Sequence, residues 1–323
     1  MKLVVTIPAY NEQATVGEVI SNIPKSIPGI DKIEVVVIDD GSSDQTAKVA
    51  TQAGAFVHSF GRNKGLGAAF AQGIRTALWH GADIIVNIDA DGQFDPKDIA
   101  KLVEPILKDN ADMATASRFA DINLIPEMPW IKKWGNRRVA NIVNSLCGLD
   151  MKDVSCGFRA YKRDAALRVT LLGGHTYTHE VILDMAFRGL RIVEVPVKVL
   201  GVRKVGKSKV ASNVLTYGWR SLVIMLRAFR DYKPMWVFGG ISAIFAILAM
   251  VCAIFVLIHY IVARAFSPYL FVAFSAAAFG FVALVCYITA LLAGMINRLR
   301  ILQDEQLFLL RKKEYGKAAN EGV

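Results

Sequence analysis

Two apolar stretches, residues 236–262 and 269–295, constrain this chain more than any other feature. Each is long enough to cross the hydrocarbon core of a bilayer, and neither carries Asp, Glu, Lys or Arg; Arg264 lies between them. They predict a two-helix transmembrane hairpin. They also explain an apolar share of 54%, above that of an average soluble protein. Arg227, Arg230 and Lys233 precede the first run, and Arg298, Arg300, Arg311, Lys312 and Lys313 follow the second. The positive-inside rule then places both ends of the chain in the cytoplasm and the short 263–268 loop outside. The opening Met1–Val5 turns polar too soon for a signal peptide, so the first two thirds are expected to stay cytoplasmic. Cys147, Cys156, Cys252 and Cys286 show no metal-ligand spacing and read as reduced structural thiols. The net charge of +10 fits an anionic membrane surface and a phosphate-bearing substrate. Nucleic acid is not expected, because the cations sit beside apolar helices and not in an aromatic-interleaved groove.

The first 120 residues alternate short apolar runs with helical spacing. Runs at 2–7, 32–38, 56–59, 83–88 and 113–117 read as strands, and 15–23, 46–53, 65–79 and 96–107 as helices. This alternation predicts a parallel, doubly wound α/β sheet. The polar clusters fall at strand C-terminal ends, where such a sheet builds its ligand crevice. The cluster after the fourth run is Asn87-Ile-Asp-Ala-Asp-Gly-Gln-Phe94. Asp89 and Asp91, one residue apart, suit one divalent cation, with Gln93 as a third oxygen donor; Mg²⁺ and Mn²⁺ favour such oxygens and bridge to phosphates. The plainer alternative is a polar strand-to-helix loop with Asp95 as cap and Pro96 as first helical residue. Asp39 to Asp44 carries a similar pair of readings, a sugar-hydroxyl acceptor or a cap for the next helix. Gly65-Leu-Gly67 is a weak dinucleotide signal, since Phe70 holds the third glycine position, and no Walker A run is present.

Four ordered segments, Ile7-Pro8-Ala9-Tyr10-Asn11-Glu12, Asp39-Asp40-Gly41-Ser42, Asn63-Lys64-Gly65-Leu66-Gly67 and Asp89-Ala90-Asp91-Gly92-Gln93, resemble those of the inverting family 2 glycosyltransferases. The resemblance covers roughly the first 210 residues. It implies a nucleotide-diphospho-sugar transferase (GT-A, Rossmann-like) fold. It also implies a nucleotide pocket of Pro8, Tyr10, Glu12, Asp39 and Lys64, and a metal on the donor diphosphate held by Asp89, Asp91 and Gln93. The domain plan is then a catalytic domain over 1–210, an interfacial amphipathic helix over 211–234, two membrane helices within 235–297 and a basic cytoplasmic tail over 298–323.

The second half narrows the resemblance. Residues 130–149 read as an amphipathic helix with Trp130 and Trp134 beside Lys132, Lys133, Arg137 and Arg138, suited to a membrane interface or to ordinary packing on the core. A second amphipathic segment, 213–232, leads into the first span. Arg118 ends a strand, the 192–199 run reads as another, and Arg203-Lys-Val-Gly206-Lys-Ser208-Lys209 follows. This layout looks like the polyprenyl-phosphate branch, the dolichyl-phosphate mannose synthases and bacterial polyprenyl-phosphate glucosyltransferases. By that resemblance Arg118, Arg137, Arg138, Arg203, Ser208 and Lys209 bind the lipid phosphate, and Asp91, Asp89, Arg118 and Arg203 carry catalysis. Where the synthases read Ser-Gly-Phe, this chain has Cys156-Gly157-Phe158, leaving Asp153 or Ser155 as the polar contributor there.

The chemistry implied is transfer of a hexose from a nucleoside diphosphate sugar, of the GDP-mannose or UDP-glucose type, to a polyprenyl phosphate with inversion. A phosphate monoester is already anionic at neutral pH, its second pKa being about 6, and needs cations to position it but no general base. A sugar-hydroxyl acceptor would need a base, and Glu180 would supply it, unless it serves only as an N-terminal helix carboxylate. Two other readings stand beside this one: a processive polysaccharide synthase, disfavoured by two spans and no Gln-x-x-Arg-Trp motif, and a membrane-anchored nucleotide-sugar binding protein without turnover. The hairpin also leaves homo-oligomerisation open.

Overall fold

The computed structural model describes residues 1–125, 130–170, 177–200, 223, 230 and 233–321. Contacts divide the chain into two units, Met1–Met225 with Gln306–Val323, and Leu226–Glu305.

The first unit is built on a seven-stranded sheet. Its strands are β1 (Lys2–Ala9), β2 (Lys32–Asp39), β3 (Phe56–Ser59), β4 (Ile84–Asn87), β5 (Met113–Ser117), β6 (Arg159–Lys162) and β7 (Ile192–Pro196), in the order β3-β2-β1-β4-β6-β5-β7. Between them run α1 (Val16–Ser21), α2 (Thr46–Gln52), α3 (Leu66–Trp79), α4 (Ile99–Leu107), α5 (Trp130–Cys147), α6 (Arg163–Arg168) and α7 (Thr178–Phe187). The strand alternation is clean. Leu3, Val5, Ile7 and Ala9 of β1 join the apolar core with Val16, Val19 and Ile20 of α1 and Leu102 and Val103 of α4. Thr6 points the other way, toward Gly73 of α3. Buried on both faces, β1 and β4 read as near-continuous apolar runs, which is why their positions are legible.

The expected parallel sheet is mixed. β6 runs antiparallel to both neighbours, β4 and β5, and separates them. The chain leaves β5 at the crevice edge, makes α5, and returns down the middle of the sheet. Arg-Ala-Tyr-Lys does not look like a central strand, because it places an arginine where solvent is excluded: Arg159 is 0% exposed. Pro196 ends β7 at the sheet edge, where its missing N–H costs nothing. The 192–199 run is shorter as a strand than expected; Val199 makes a separate bridge to Phe94.

The second unit contains α8 (Pro234–Ala263) and the first part of α9 (Leu270–Glu321). Both helices are long and apolar enough to cross a membrane, with mean hydropathies of 3.0 and 2.3 over their best stretches. The second apolar run ends near Met295, but its helix continues, since no Gly or Pro interrupts residues 295–315. Its end returns to the first unit: Arg311 Nη1 donates to the Leu167 and Val169 carbonyls at 2.9 Å, and Phe308 is buried beneath the Arg168 guanidinium. The amphipathic segment expected over 213–232 lies outside the described residues apart from 223 and 230.

Candidate active site

β2 and β4 flank β1, so the topology reverses between β1 and β4 and opens a crevice beyond their C-terminal ends. The loops after β1, β2 and β3 are laced together there. Asn11, in the left-handed region at φ 53°, donates its N–H to Ser42 Oγ at 2.9 Å and accepts from the Ser43 N–H at 2.8 Å. The Glu12 N–H reaches Thr46 Oγ1 at 2.8 Å. Asp39 accepts the Ser42 N–H at 3.0 Å, so its carboxylate shapes its own turn. The N-cap position of α2 falls to Gln45, with Asp44 accepting the Thr46 N–H.

Asp40 has a role that the sequence did not disclose. Nearly buried, its carboxylate accepts the backbone N–H groups of Lys64 and Gly65 at 2.7 and 2.9 Å. It thereby fixes the 60–65 loop over the β2 end. Gly41 makes this approach possible: at φ 72°, a Cβ there would come within 2.5 Å of the Arg62 carbonyl carbon. Of the residues expected around a nucleotide, Pro8 is buried inside β1, Tyr10 is exposed, Glu12 and Asp39 lie at the loop junction, and Lys64 is exposed with Nζ 4.1 Å from the Phe60 ring.

The carboxylate pair follows β4. Asp91 is 4% exposed and its Oδ1 accepts the Gln93 N–H at 3.0 Å, which orients it. Asp89 is half-buried and packs against Gly157; a Cβ on Gly157 would lie 3.3 Å from Asp89 Oδ2. Asp95 caps the following turn by accepting the Lys97 N–H, with Pro96 first in that turn, so the capping role falls to Asp95 and leaves the other two carboxylates to the crevice. Gln93 donates Nε2 to the Leu200 carbonyl at 3.3 Å, and its own carbonyl accepts the Leu200 N–H at 3.0 Å. The chain then enters 201–222, so Arg203, Ser208 and Lys209 lie outside the described residues. Among the described residues no three of His, Cys, Asp and Glu form a metal cluster. Asp89 and Asp91 with the Gln93 amide fit instead a hard cation that completes its shell with water and substrate phosphate, the usual habit of Mg²⁺.

Arg118, at the end of β5, is held by Asp153 through Nε at 2.6 Å and Nη2 at 2.9 Å. Asp153 is fully buried. Burial alone would raise its carboxyl, but the charge and hydrogen bonds of Arg118 outweigh that and hold it below its ordinary value. Asp153 is thus the buried partner of Arg118. Ser155 Oγ accepts from Arg118 and lies 3.1 Å from Asn136 Oδ1 of α5, next to Arg137. Burial, then the Asp153 charge, pushes the Cys156 thiol up to about 12, so it is an inert packing group. The segment 153–157, which leads into β6, therefore holds Arg118 at one end and packs on Asp89 at the other. Ser155 and Gly157 are two residues apart, at most about 7 Å along the chain. Arg137 and Arg138 are exposed on α5, as are Trp130 at 75% and Trp134 at 52%. Glu180 lies in the first turn of α7, half-buried.

Sequence reasoning missed the buried layer under this crevice. Thr6, Asn87, Arg159 and Thr115 share one register position across β1, β4, β6 and β5. Asn87 Nδ2 donates to the Gly157 carbonyl at 3.0 Å and to Tyr177 Oη at 2.9 Å. Tyr177 stacks on Phe70 of α3 with centroids 4.0 Å apart. Burial, then the Asp89 charge, raises its phenol well above the ordinary value. The polar residues were readable, but their partners are up to 90 positions distant.

The chain has relatives among known proteins. The model of the family described as glycosyl transferase family 2 matches residues 4–169. A UDP-N-acetylglucosamine–dolichyl-phosphate N-acetylglucosaminyltransferase of Methanococcus voltae is 32% identical over 216 residues, covering 60% of this chain and 84% of the relative. An undecaprenyl-phosphate mannosyltransferase of Micrococcus luteus is 30% identical over 227 residues, covering 67% and 90%. Among solved structures, glucosyl-3-phosphoglycerate synthase of Mycobacterium tuberculosis, in complex with Mn²⁺, UDP and its product, superposes with a TM-score of 0.56 at 22% identity, over 70% of this chain and 79% of that one. That likeness shows the fold.

Proposed function

This chain belongs to glycosyl transferase family 2 and is a glycosyltransferase, and we propose that it transfers a hexose from a nucleoside diphosphate sugar to a polyprenyl phosphate, with inversion, at the crevice between β1 and β4. The observation that carries the reading is that one short segment, 153–157, meets Asp89 at Gly157 and pins Arg118 through Asp153 and Ser155, which brings an acidic and a cationic group to its two ends. The names of the two relatives, each a transferase onto a lipid phosphate, support it.

The donor's nucleoside sits over the laced loops after β1 and β2, where Tyr10, Glu12, Asp39 and Lys64 gather. Asp89, Asp91 and Gln93 would hold a divalent cation, Mg²⁺ or Mn²⁺, which would supply positive charge against that developing on the diphosphate leaving group. Arg118, locked in direction by its two-point grip on Asp153, presents its cationic edge to the acceptor phosphate, and Arg137 and Arg138 extend the positive field along α5. Arg203 and Lys209, which follow Leu200 in the sequence, would add to this positive charge, and Ser208 a hydroxyl. An acceptor oxygen that is already anionic attacks the anomeric carbon from the face opposite the diphosphate, so no side chain need remove a proton. α8 and α9 anchor the enzyme as two spans with both termini cytoplasmic, and the exposed Trp130 and Trp134 rest α5 in the interface.

The test is transfer of labelled sugar from a panel of nucleoside diphosphate hexoses into polyprenyl phosphate by the purified full chain, with and without EDTA. A lipid-extractable product that EDTA abolishes, and that falls at least about 100-fold in Asp91→Asn, is expected. Absence of any metal-dependent lipid product from every donor overturns the reading.

A further inference from the structure

Glu194 lies in the middle of β7, in register with Thr115 of β5. β5 runs between β7 and β6, and Arg118 is the first residue beyond its end. Val193 and Val195 pack with the apolar core, so alternation turns Glu194 to the other face of the sheet. There its carboxylate reaches the turn that leads toward β6. Oε2 accepts the Lys152 N–H at 2.9 Å and Oε1 accepts the Asp153 N–H at 2.7 Å. The same turn is held from α5. Asn136 Nδ2 donates to the Lys152 carbonyl at 2.8 Å; Asn144 donates to the Met151 carbonyl at 2.8 Å and accepts the Met151 N–H at 2.9 Å. Three side chains thus satisfy the backbone N–H groups of 151, 152 and 153 and the carbonyls of 151 and 152. Asp153, placed by this frame, receives Arg118 at three points: its backbone N–H at 3.2 Å, Nε at 2.6 Å and Nη2 at 2.9 Å. Burial raises the Glu194 carboxyl above its ordinary value, and the two N–H groups it holds oppose that rise.

We propose that Glu194 is a positioning residue for the acceptor phosphate: by holding the Lys152 and Asp153 N–H groups it sets the Asp153 carboxylate, and through it the direction in which Arg118 meets the phosphate. This rests on the acceptor reading of Arg118 above and extends it to β7, whose glutamate acts through Asp153 and not by contact with the phosphate. The two-point grip of Asp153 on Arg118 fixes the guanidinium only relative to the 151–153 turn. Glu194 and the two asparagines fix that turn relative to β7 and α5. A shift of about 1 Å in a group that orients a reactant costs up to about 100-fold, so a brace one step removed is enough to govern acceptor binding.

Glu194→Gln keeps the size of the side chain but turns an amide NH₂ toward one of the two backbone donors. The full chain in detergent is assayed with one competent nucleoside diphosphate hexose and polyprenyl phosphate, each titrated in turn. The expected result is a KM for polyprenyl phosphate about tenfold above wild type, with the KM for the donor within about twofold. In Arg118→Lys, which itself raises the acceptor KM, adding Glu194→Gln changes that KM by less than about twofold, because both substitutions act through one guanidinium. Glu194→Asp, too short to reach both N–H groups, carries the test alone if Glu194→Gln does not fold, and shows the same selective rise. A wild-type acceptor KM in a folded variant, with only the thermal midpoint lowered, overturns the role of Glu194 and leaves the transfer reading standing. Effects that simply multiply in the double variant overturn it as well. A wild-type acceptor KM in Arg118→Lys overturns both this role and that of Arg118.

Discussion

The Arg118 guanidinium closes a two-point grip on the Asp153 carboxylate, Nε to Oδ2 at 2.6 Å and Nη2 to Oδ1 at 2.9 Å. The partners lie 35 residues apart and come from opposite sides of α5 in the chain. Asp153 is wholly buried, and Glu194 braces its backbone by accepting the Asp153 N–H at 2.7 Å. Removing Arg118 therefore strands a buried charge. Arg118→Ala is expected to cost about 3–5 kcal/mol of stability in the first unit. Arg118→Lys keeps the charge but loses the fork, so it should fold better than Arg118→Ala and still raise the KM for polyprenyl phosphate. Thermal unfolding together with acceptor kinetics checks both.

Gly41 is a second point of strain control. Its φ of 72° and its approach to Arg62 and Asn63 leave no room for a methyl group. Gly41→Ala is expected to cost about 1–3 kcal/mol and to push the 60–65 loop away from the β2 end. Since Asp40 holds that loop at Lys64 and Gly65, the KM for the donor should rise while the KM for the lipid stays put. Donor and acceptor titrations on the same preparation separate the two.

His179 predicts an acid-side loss of stability. Burial first, and then the Arg159 charge, lower its pKa from 6.5 to about 4, with Asp153 opposing. The unfolded chain binds this proton below its ordinary pKa and the folded chain does not, so stability is full above pH 6.5 and declines as pH falls toward 4. A shift of this size is about 3 kcal/mol across that window. His179→Asn should flatten the slope of thermal midpoint against pH over the same range. An unchanged slope would place the titration elsewhere.

How much of this was legible in the sequence depends on distance along the chain. β1 and β4 are buried on both faces, and each ends abruptly in polar residues, so their ends and the Asp89–Asp91 pair could be read directly. β6 could not, because Arg159–Lys162 hides its strand character behind an arginine and a lysine. Asp153 was readable as a polar residue near the acceptor but not as the buried partner of Arg118, since nothing local announces a contact across α5. The Thr6–Asn87–Tyr177 layer was invisible for the same reason. The helical continuation of α9 was written plainly in a stretch without Gly or Pro, but its basic residues suggested a tail. Arg311 instead satisfies the Leu167 and Val169 carbonyls at the end of α6.

The most direct test of the central claim compares two acceptors that differ by one phosphate. Purified full-length chain is given one competent nucleoside diphosphate hexose and either a polyprenyl phosphate or the corresponding polyprenol, and the lipid product is resolved by mass. A cationic site built around Arg118 with no base for the acceptor predicts sugar on the phosphate and none on the alcohol. Efficient transfer to the alcohol, or chain elongation to more than one sugar per lipid, would contradict it.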